Sequence, residues 1–599
     1  MRRACLLASL LLVACSDDTG ATTEPASTST TSTTSTGAPD SSSTAPPTTT
    51  VESTTLETSE PTSTGTIDPT TSGSTGTSTG EPLDPVCDQF IKPCEQCSCT
   101  DAGWSCECPP LLPEAGFIEI EPVKFTIGQG NKAQGRTSSP ARLFYSFRPA
   151  EPGVEGPLFV LFNGGPGSST GTLMAFGTGP VALTPDLIKN PGSWATLGDL
   201  LYIDARGTGF SYNLAENPAD LEVRKAEFGI SNYNSYLDAA DFVRVLLRFI
   251  VAHPQLSTRE FVIVGESYGG MRATIMLELL LGFPNYDEGG PGLYDDAALV
   301  DEIETFLATR DPDVDEWTPA EISKIFPRQI LIQPSLGGLQ RTIAGQLLDL
   351  PDSPIFKIAQ ELGATFKPCS EQGADCLPWQ NAVQFIENTV ARSRYDLDAP
   401  NTWLTDLFAA KKAGLSDLLK LEAVLGLPPA SVPLLPAEAR GGAFRMIGLG
   451  SYPADGGTIS MLGALEKWDR YYIPFLAESN NAIRSALADH VGIGPDDPHF
   501  AALFLHNLAH VDTFITAAER DIAIYAPSIP PLLATYTDIV DSVESLPGEF
   551  HVFYKDSPFP DEPAPGTRVV RFPTYDASHA VSLDQPTALR DDVAAWLAP

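Results

Sequence analysis

Short apolar runs separated by glycine-rich polar turns recur through most of this chain. Pro157–Phe162 (PLFVLF), Phe261–Val264 (FVIV), Gln329–Ser335 (QILIQPS) and Thr567–Phe572 (TRVVRF) are each too short for a helix and are bounded by turn residues, so they read as strands. Glu549–Tyr554 (EFHVFY) alternates as a half-buried strand does, and Phe117–Ile127 with Ala141–Phe147 suggests an antiparallel hairpin leading into a sheet. Helical patterns follow two of the runs, MRATIMLELLLGF from Met271 and TALRDDVAAWL from Thr587. Between about 340 and 506 strand character disappears, and helix-like pieces such as WLTDLFAAKKAGLSDLLKLEAVLGL dominate. That stretch is expected to be a cap inserted over the carboxyl ends of the strands, with a shorter acidic insertion over about 284–328 adding to it.

Where the run Phe261–Val264 meets its helix, the chain reads GESYG, Gly265 to Gly269. A serine between two glycines at a strand-to-helix turn is a nucleophile elbow: the glycines let strand and helix approach, and the tight turn lifts the Ser267 hydroxyl clear of the backbone. Serine is a poor nucleophile unaided, so a base, an acid to orient it and donors for the oxyanion are required.

Donors are expected from the backbone amide of Tyr268, just after the nucleophile, and from Gly165 in the glycine-rich NGGPGSS that follows Phe162. In the chain order serine, acid, histidine, the best base among the seven histidines is His579, in a loop beyond the strand Thr567–Phe572. His551 alternates within a strand and reads as packed or surface. His506 and His510 have the i, i+4 spacing that could pair on a metal, but no third ligand is evident in sequence, and the pair reads as structural. For the acid, Asp521 lies just past the apolar stretch 514–517, and its separation from His579 (579 − 521 = 58) leaves room for a helix and a strand. Asp538, Asp541 and Asp556 are rivals on position alone.

These pieces together resemble the serine carboxypeptidase family of α/β-hydrolases, particularly its bacterial branch. The resemblance rests on FNGGPGSS from Phe162, IDARGTGFSY from Ile203, GESYGGMRA from Gly265 and SHAVSLDQP from Ser578, with ERD at Asp521 a weaker fifth block, and it spans residues 117–599. It implies an α/β fold, a mostly parallel sheet with helices on both faces. It further implies hydrolysis of peptides at their carboxyl end through a Ser267, Asp521, His579 triad with Gly165 and Tyr268 as oxyanion hole.

Eukaryotic members bind the substrate's free carboxylate with a Trp, an Asn and two glutamates that share a proton. Asn163 and Glu266 match that set as substrate-binding residues, whereas Leu161 stands at the Trp position and Gly177 at that of the first Glu. A lone Glu266 lacks the second carboxyl that would raise its pKa; its alternative reading is a buried elbow residue bonded to backbone. Arg206, in DARGTG, and Arg272, on the elbow helix, read as ion-pair residues holding structure.

Residues 1–15 form a signal of the lipoprotein type: Arg2 and Arg3, the apolar ACLLASLLLVA, then LVAC, which resembles a lipobox with Cys15 as the lipidated residue. Cleavage elsewhere to give a soluble secreted protein is the alternative. Residues 16–86 are nearly all Thr, Ser, Pro and Gly, cannot bury a core, and make a tether whose ends lie roughly 45 Å apart. Over 87–110 the cysteines Cys87, Cys94, Cys97, Cys99, Cys106 and Cys108 suggest a disulfide module in an exported chain, with zinc the alternative. Cys369 and Cys376 look like a local disulfide, and the hydrolase-like domain occupies 111–599.

A net charge of −39 excludes nucleic acid or an anionic membrane surface as the main partner. The expected contacts are a peptide substrate and a membrane reached only through the N-terminal lipid, at the cell surface or outer membrane. With no dinucleotide fingerprint or P-loop, no cofactor is expected. An esterase or aminopeptidase on the same fold and a non-catalytic surface binding protein are the competing readings.

Overall fold

The structure, a computed structural model, describes residues 97–100, 103–106, 110–128, 133–164, 169–171, 173–182, 188–214, 231–287, 293–311, 314, 316–336, 341–342, 498–519, 524–559, 562–577, 579 and 581–598. Gly165, Asp521, Cys15, Cys87, Cys94, Cys108, Cys369 and Cys376 lie outside these residues, as do the tether and most of the expected cap.

Eleven strands form one sheet: β1 (Glu114–Ile120), β2 (Ala141–Arg148), β3 (Leu158–Phe162), β4 (Asp199–Ile203), β5 (Tyr212–Asn213), β6 (Phe261–Glu266), β7 (Arg328–Ile332), β8 (Asp512–Ile515), β9 (Val540–Leu546), β10 (Glu549–Tyr554) and β11 (Thr567–Arg571). Their order is β5-β2-β4-β3-β6-β7-β8-β11-β10-β9, with β1 also paired to β2. The six strands from β4 to β11 pair in parallel, and the pairs outside them, β1-β2, β2-β4, β2-β5, β11-β10 and β10-β9, are antiparallel. Side chains alternate across the sheet with period two. Leu158, Val160, Phe162, Phe261, Ile263 and Leu331 join one core layer, while Phe159, Leu161, Val262, Val264, Ile330 and Ile332 join the other. Both faces are covered, which is why these strands read as unbroken apolar runs.

Helices α1 (Ser235–Ala252), α2 (Gly269–Leu281), α3 (Ala297–Arg310) and α4 (Pro498–His510) contribute to the first layer. The C-terminal α5 (Pro586–Leu597) contributes Leu589 and Val593 to the second. Asn234 caps α1 by accepting from the Leu237 amide at 2.8 Å, which satisfies one of the otherwise unpaired donors of the first turn.

Three sequence expectations change. Lys124–Ile127 does not extend the hairpin into the main sheet; it pairs with Gln134–Thr137 and Tyr294–Asp295 in a separate three-stranded sheet. Within 284–328, α3 lies along α1, and its residues Leu299, Ile303, Phe306 and Leu307 are core. Helix α4, whose first nine residues (498–506) fall within the expected cap, buries Phe500, Phe504 and Leu508 in the same core as α2. Periodicity gives a helix its apolar face but not the element that covers it. The backbone of the Cys-rich segment forms a hairpin, 97–100 against 103–106, in which Cys97 stands opposite Cys106.

Asp296 fixes α3 to α1. It accepts from Arg244 Nη2 at 2.7 and 2.8 Å, from the Tyr294 hydroxyl at 2.7 Å and from the Leu299 amide at 3.1 Å, and it is 1% exposed. Removing it strands a buried guanidinium and uncaps a helix. Asp296→Ala is expected to lower the unfolding free energy by about 3–5 kcal/mol, read from urea denaturation at neutral pH; a loss below about 1 kcal/mol overturns this account.

Candidate active site

Ser267 is one of two non-glycine residues with positive φ among those described, at 59°. A left-handed serine is uncommon and needs support from its surroundings. Its amide donates to the Ile332 carbonyl of the neighbouring strand at 2.9 Å, and its carbonyl accepts from the Gly270 and Ser335 amides at 2.8 Å each. Strand β6 thus ends at Glu266, turns through Ser267 and Tyr268 and enters α2 at Gly269. At Gly265 an added Cβ would lie 2.1 Å from the Gly269 carbonyl oxygen, so the first glycine of GESYG is required by the closeness of strand and helix.

The turn after β3 packs directly on this elbow. A Cβ on Gly164 would sit 2.4 Å from the Tyr268 nitrogen and 2.6 Å from the Glu266 carbonyl oxygen, so only glycine permits the approach. The Asn163 side-chain oxygen accepts from the Gly164 amide at 2.7 Å, leaving its amide nitrogen as the end able to donate to a ligand. Arg272, 1% exposed, locks turn and helix together: it donates to the Asn163 carbonyl at 2.6 Å and to Asp238 of α1 at 2.8 Å, and its guanidinium lies 4.4 Å from the Phe242 ring centroid. Burial raises the Asp238 carboxyl above its usual range against the pull of Arg272, and burial followed by the Asp238 charge pushes the Tyr268 phenol well above its own. Arg206 makes the buried ion pair that the sequence suggests, with Asp241 at 2.8 Å, and also holds the Ser139 carbonyl at 2.7 Å. Asp204 accepts from the Thr170 and Phe210 amides at 2.8 and 3.0 Å, fixing the segment after NGGPGSS to the DARGTG turn.

His579 is partly exposed and lies between the short strand Thr574–Tyr575 and a helical turn at Val581–Asp584. That short strand pairs in parallel with Ala517–Ala518, and the Glu519 amide donates to the Tyr575 carbonyl at 2.9 Å. Asp521 follows three residues after this ladder on one side and His579 four residues after it on the other. Of the rivals, Asp538 and Asp541 are exposed at the turn into β9 and on it, and Asp556 is exposed after β10.

Ser582 was not legible in the sequence. Its Oγ donates to Glu266 Oε2 at 3.0 Å, and both residues are buried. Gly177 closes the arrangement, because a Cβ there would come within 3.0 Å of Ser582 Oγ. A hydroxyl thus stands beside Glu266 where a glutamate side chain from position 177 would need space. A hydroxyl at that place is a neutral donor and not a second acid. Leu161, fully buried, belongs to the core layer on this face.

The strand order, the left-handed serine after β6, and the glycine turn after β3 packed against it define an α/β-hydrolase fold. Residues 128–281 match the family model described as serine carboxypeptidase, a stretch that ends with α2 and contains both the NGG turn and the elbow. Serine carboxypeptidase 3 of Triticum aestivum is 35% identical over 133 residues, 22% of this chain and 24% of that one. A serine carboxypeptidase-like protein of Oryza sativa is 36% identical over 135 residues, 22% of this chain and 29% of that one. A pheromone-processing carboxypeptidase of Saccharomyces cerevisiae is 29% identical over 150 residues, 24% of this chain and 20% of that one. The matches to these curated relatives thus span between a fifth and three-tenths of their lengths. Among solved structures, a prohormone-processing carboxypeptidase from Saccharomyces cerevisiae aligns over 81% of this chain and 90% of its own, at 16% identity and a TM-score of 0.41.

Ser582→Ala removes a hydrogen bond to a buried carboxylate and is expected to cost about 1–3 kcal/mol in urea denaturation. Gly177→Glu alone should destabilise more than Gly177→Glu combined with Ser582→Ala, which vacates the space the new side chain needs. Equal stability of the single and double variants would show that the contact is not tight.

Proposed function

We propose that this chain is a serine-type carboxypeptidase that removes residues from the carboxyl end of peptides through an acyl-enzyme. Ser267 attacks the scissile carbonyl, His579 takes its proton and returns it to the leaving amine, and Asp521 orients the imidazole. The amides of Gly165 and Tyr268 receive the oxyanion. Asn163 and Glu266 face the substrate's terminal carboxylate. The observation that carries this reading is Ser267 at φ 59° with the NGG turn packed against it, within a segment similar to serine carboxypeptidases. The ladder between 517–518 and 574–575 supports the pairing of acid and base.

The second reading, an esterase or aminopeptidase on the same fold, is favoured by one observation: beside Glu266 stands the Ser582 hydroxyl, with a glycine and no carboxyl at position 177. The enzyme would be exported, carried on the lipid of Cys15 and lifted from the membrane by residues 16–86. The composition of those residues and the small apolar run before Cys15 support this address. No helix among the described residues is long and apolar enough to cross a membrane.

One N-blocked dipeptide and its carboxyl-amidated twin separate the readings. The free acid is expected to be cleaved and the amide spared, a fluorophosphonate to modify the Ser267 peptide, and Ser267→Ala to lower the rate by more than about 10⁴-fold. Equal cleavage of both substrates would establish the second reading. Absence of fluorophosphonate labelling on folded protein would leave a binding protein with a hydrolase fold.

A further inference from the structure

Away from the elbow, four ionisable side chains from three parts of the fold meet near the far end of α2. His506 Nε2 lies 2.9 Å from Glu562 Oε1, and His510 Nε2 lies 2.8 Å from Glu562 Oε2. On the opposite side of its ring, His506 Nδ1 lies 2.9 Å from Glu278 Oε2. The side chains are 10–18% exposed, and Phe559 walls the cluster with its ring centroid 5.0 Å from that of His506. Glu562, the third ligand that the sequence did not reveal, sits 52 residues past His510 in the loop between β10 and β11.

We propose that His506, His510 and Glu562 bind one zinc ion, with Glu278 orienting His506 from behind. The spacing i, i+4 puts both imidazoles on one face of α4. One donor atom from each of the three residues already lies within 4.8 Å of the other two. Tetrahedral zinc holds its donors about 3.3 Å apart, from metal–ligand bonds near 2.0–2.1 Å, so small side-chain movements open the contacts enough to admit the ion. The contact of Nδ1 with Glu278 is the arrangement that fixes a ligating histidine's tautomer and leaves Nε2 for the metal. Glu278 is itself held, since the Tyr286 hydroxyl donates to its other oxygen at 3.4 Å.

Charge points the same way. Two neutral imidazoles, two carboxylates and one zinc ion make a group with no net charge. Two imidazole nitrogens with one carboxylate suit zinc, whereas magnesium and calcium prefer sites built from oxygen alone. The site is structural. Glu278 stands nine residues along α2 from Gly269, about 14 Å by the helical rise, so the ion would not touch a substrate at Ser267. It would instead clamp α4, which the chain enters directly from the long segment 343–497, to the elbow helix and to the loop preceding β11.

The test uses the full-length oxidised chain, freed of metal by a chelator, and titrated with cobalt(II) alone and zinc(II) alone. The expected result is one equivalent of cobalt with the visible absorption of a four-coordinate ion lacking thiolate charge-transfer bands, displaced by zinc, and a Tm that rises with zinc. His506→Ala/His510→Ala should lose that equivalent and the Tm response. Glu562→Gln, which preserves size should the double variant fold poorly, should lose the visible absorption, and Glu278→Gln should weaken zinc by about 10–100-fold. Metal uptake and a zinc-dependent Tm equal in wild type and Glu562→Gln would overturn the proposal, as would absence of stoichiometric uptake by wild type. Thiolate bands would assign any bound metal to the cysteine segment and overturn it too.

Discussion

The left-handed backbone of Ser267 depends on a neighbouring strand to hold it. A serine there carries a steric cost of order 1–3 kcal/mol, and the turn persists because β7 and the segment after it supply hydrogen bonds on both sides: Ile332 accepts the serine's amide, and Ser335 donates to its carbonyl. The glycines around it follow from the same geometry, since β6 and α2 approach too closely at Gly265 for any Cβ. The hydroxyl's position is thus a property of the sheet and not of the pentapeptide alone.

Around that turn the polar groups form linked restraints. Arg272 joins the β3 turn to α1 and α2, and Arg206 joins the segment after β4 to α1. Glu266 and Ser582 connect the strand that leads into the elbow with the segment that carries His579. Buried polar groups with partners specify one arrangement where an apolar contact would tolerate several. The features that bring the elbow, the glycine turn and the segment 574–584 together are the ones a hydrophobic pattern cannot encode.

That division explains what could be read from the chain. Runs such as FVIV and QILIQPS were legible because a parallel strand buried on both faces has no polar alternation, and GESYG was legible because strand, turn and helix are contiguous. Lys124–Ile127 looked like part of a hairpin, yet its partner at 294–295 is distant in sequence. The helix ending at His510 had the right period, but its burial against α2 depends on an element more than 200 residues away. Ser582 and Glu266 are separated by 316 positions, and neither stands in a pattern that marks the other. Glu562 was invisible for the same reason.

The two-rung ladder between Ala517–Ala518 and Thr574–Tyr575 has a consequence for the chain's biogenesis. The elbow and its glycine turn are complete by Ser335, but the segment bearing His579 and Ser582 joins only after β11 has added to β8 near the carboxyl terminus. Pairings between distant segments form late, because the loop between them must first be closed. A chain emerging from the ribosome therefore carries Ser267 long before it carries His579 and Ser582. The contact between Glu266 and Ser582 can thus form only when synthesis is nearly complete.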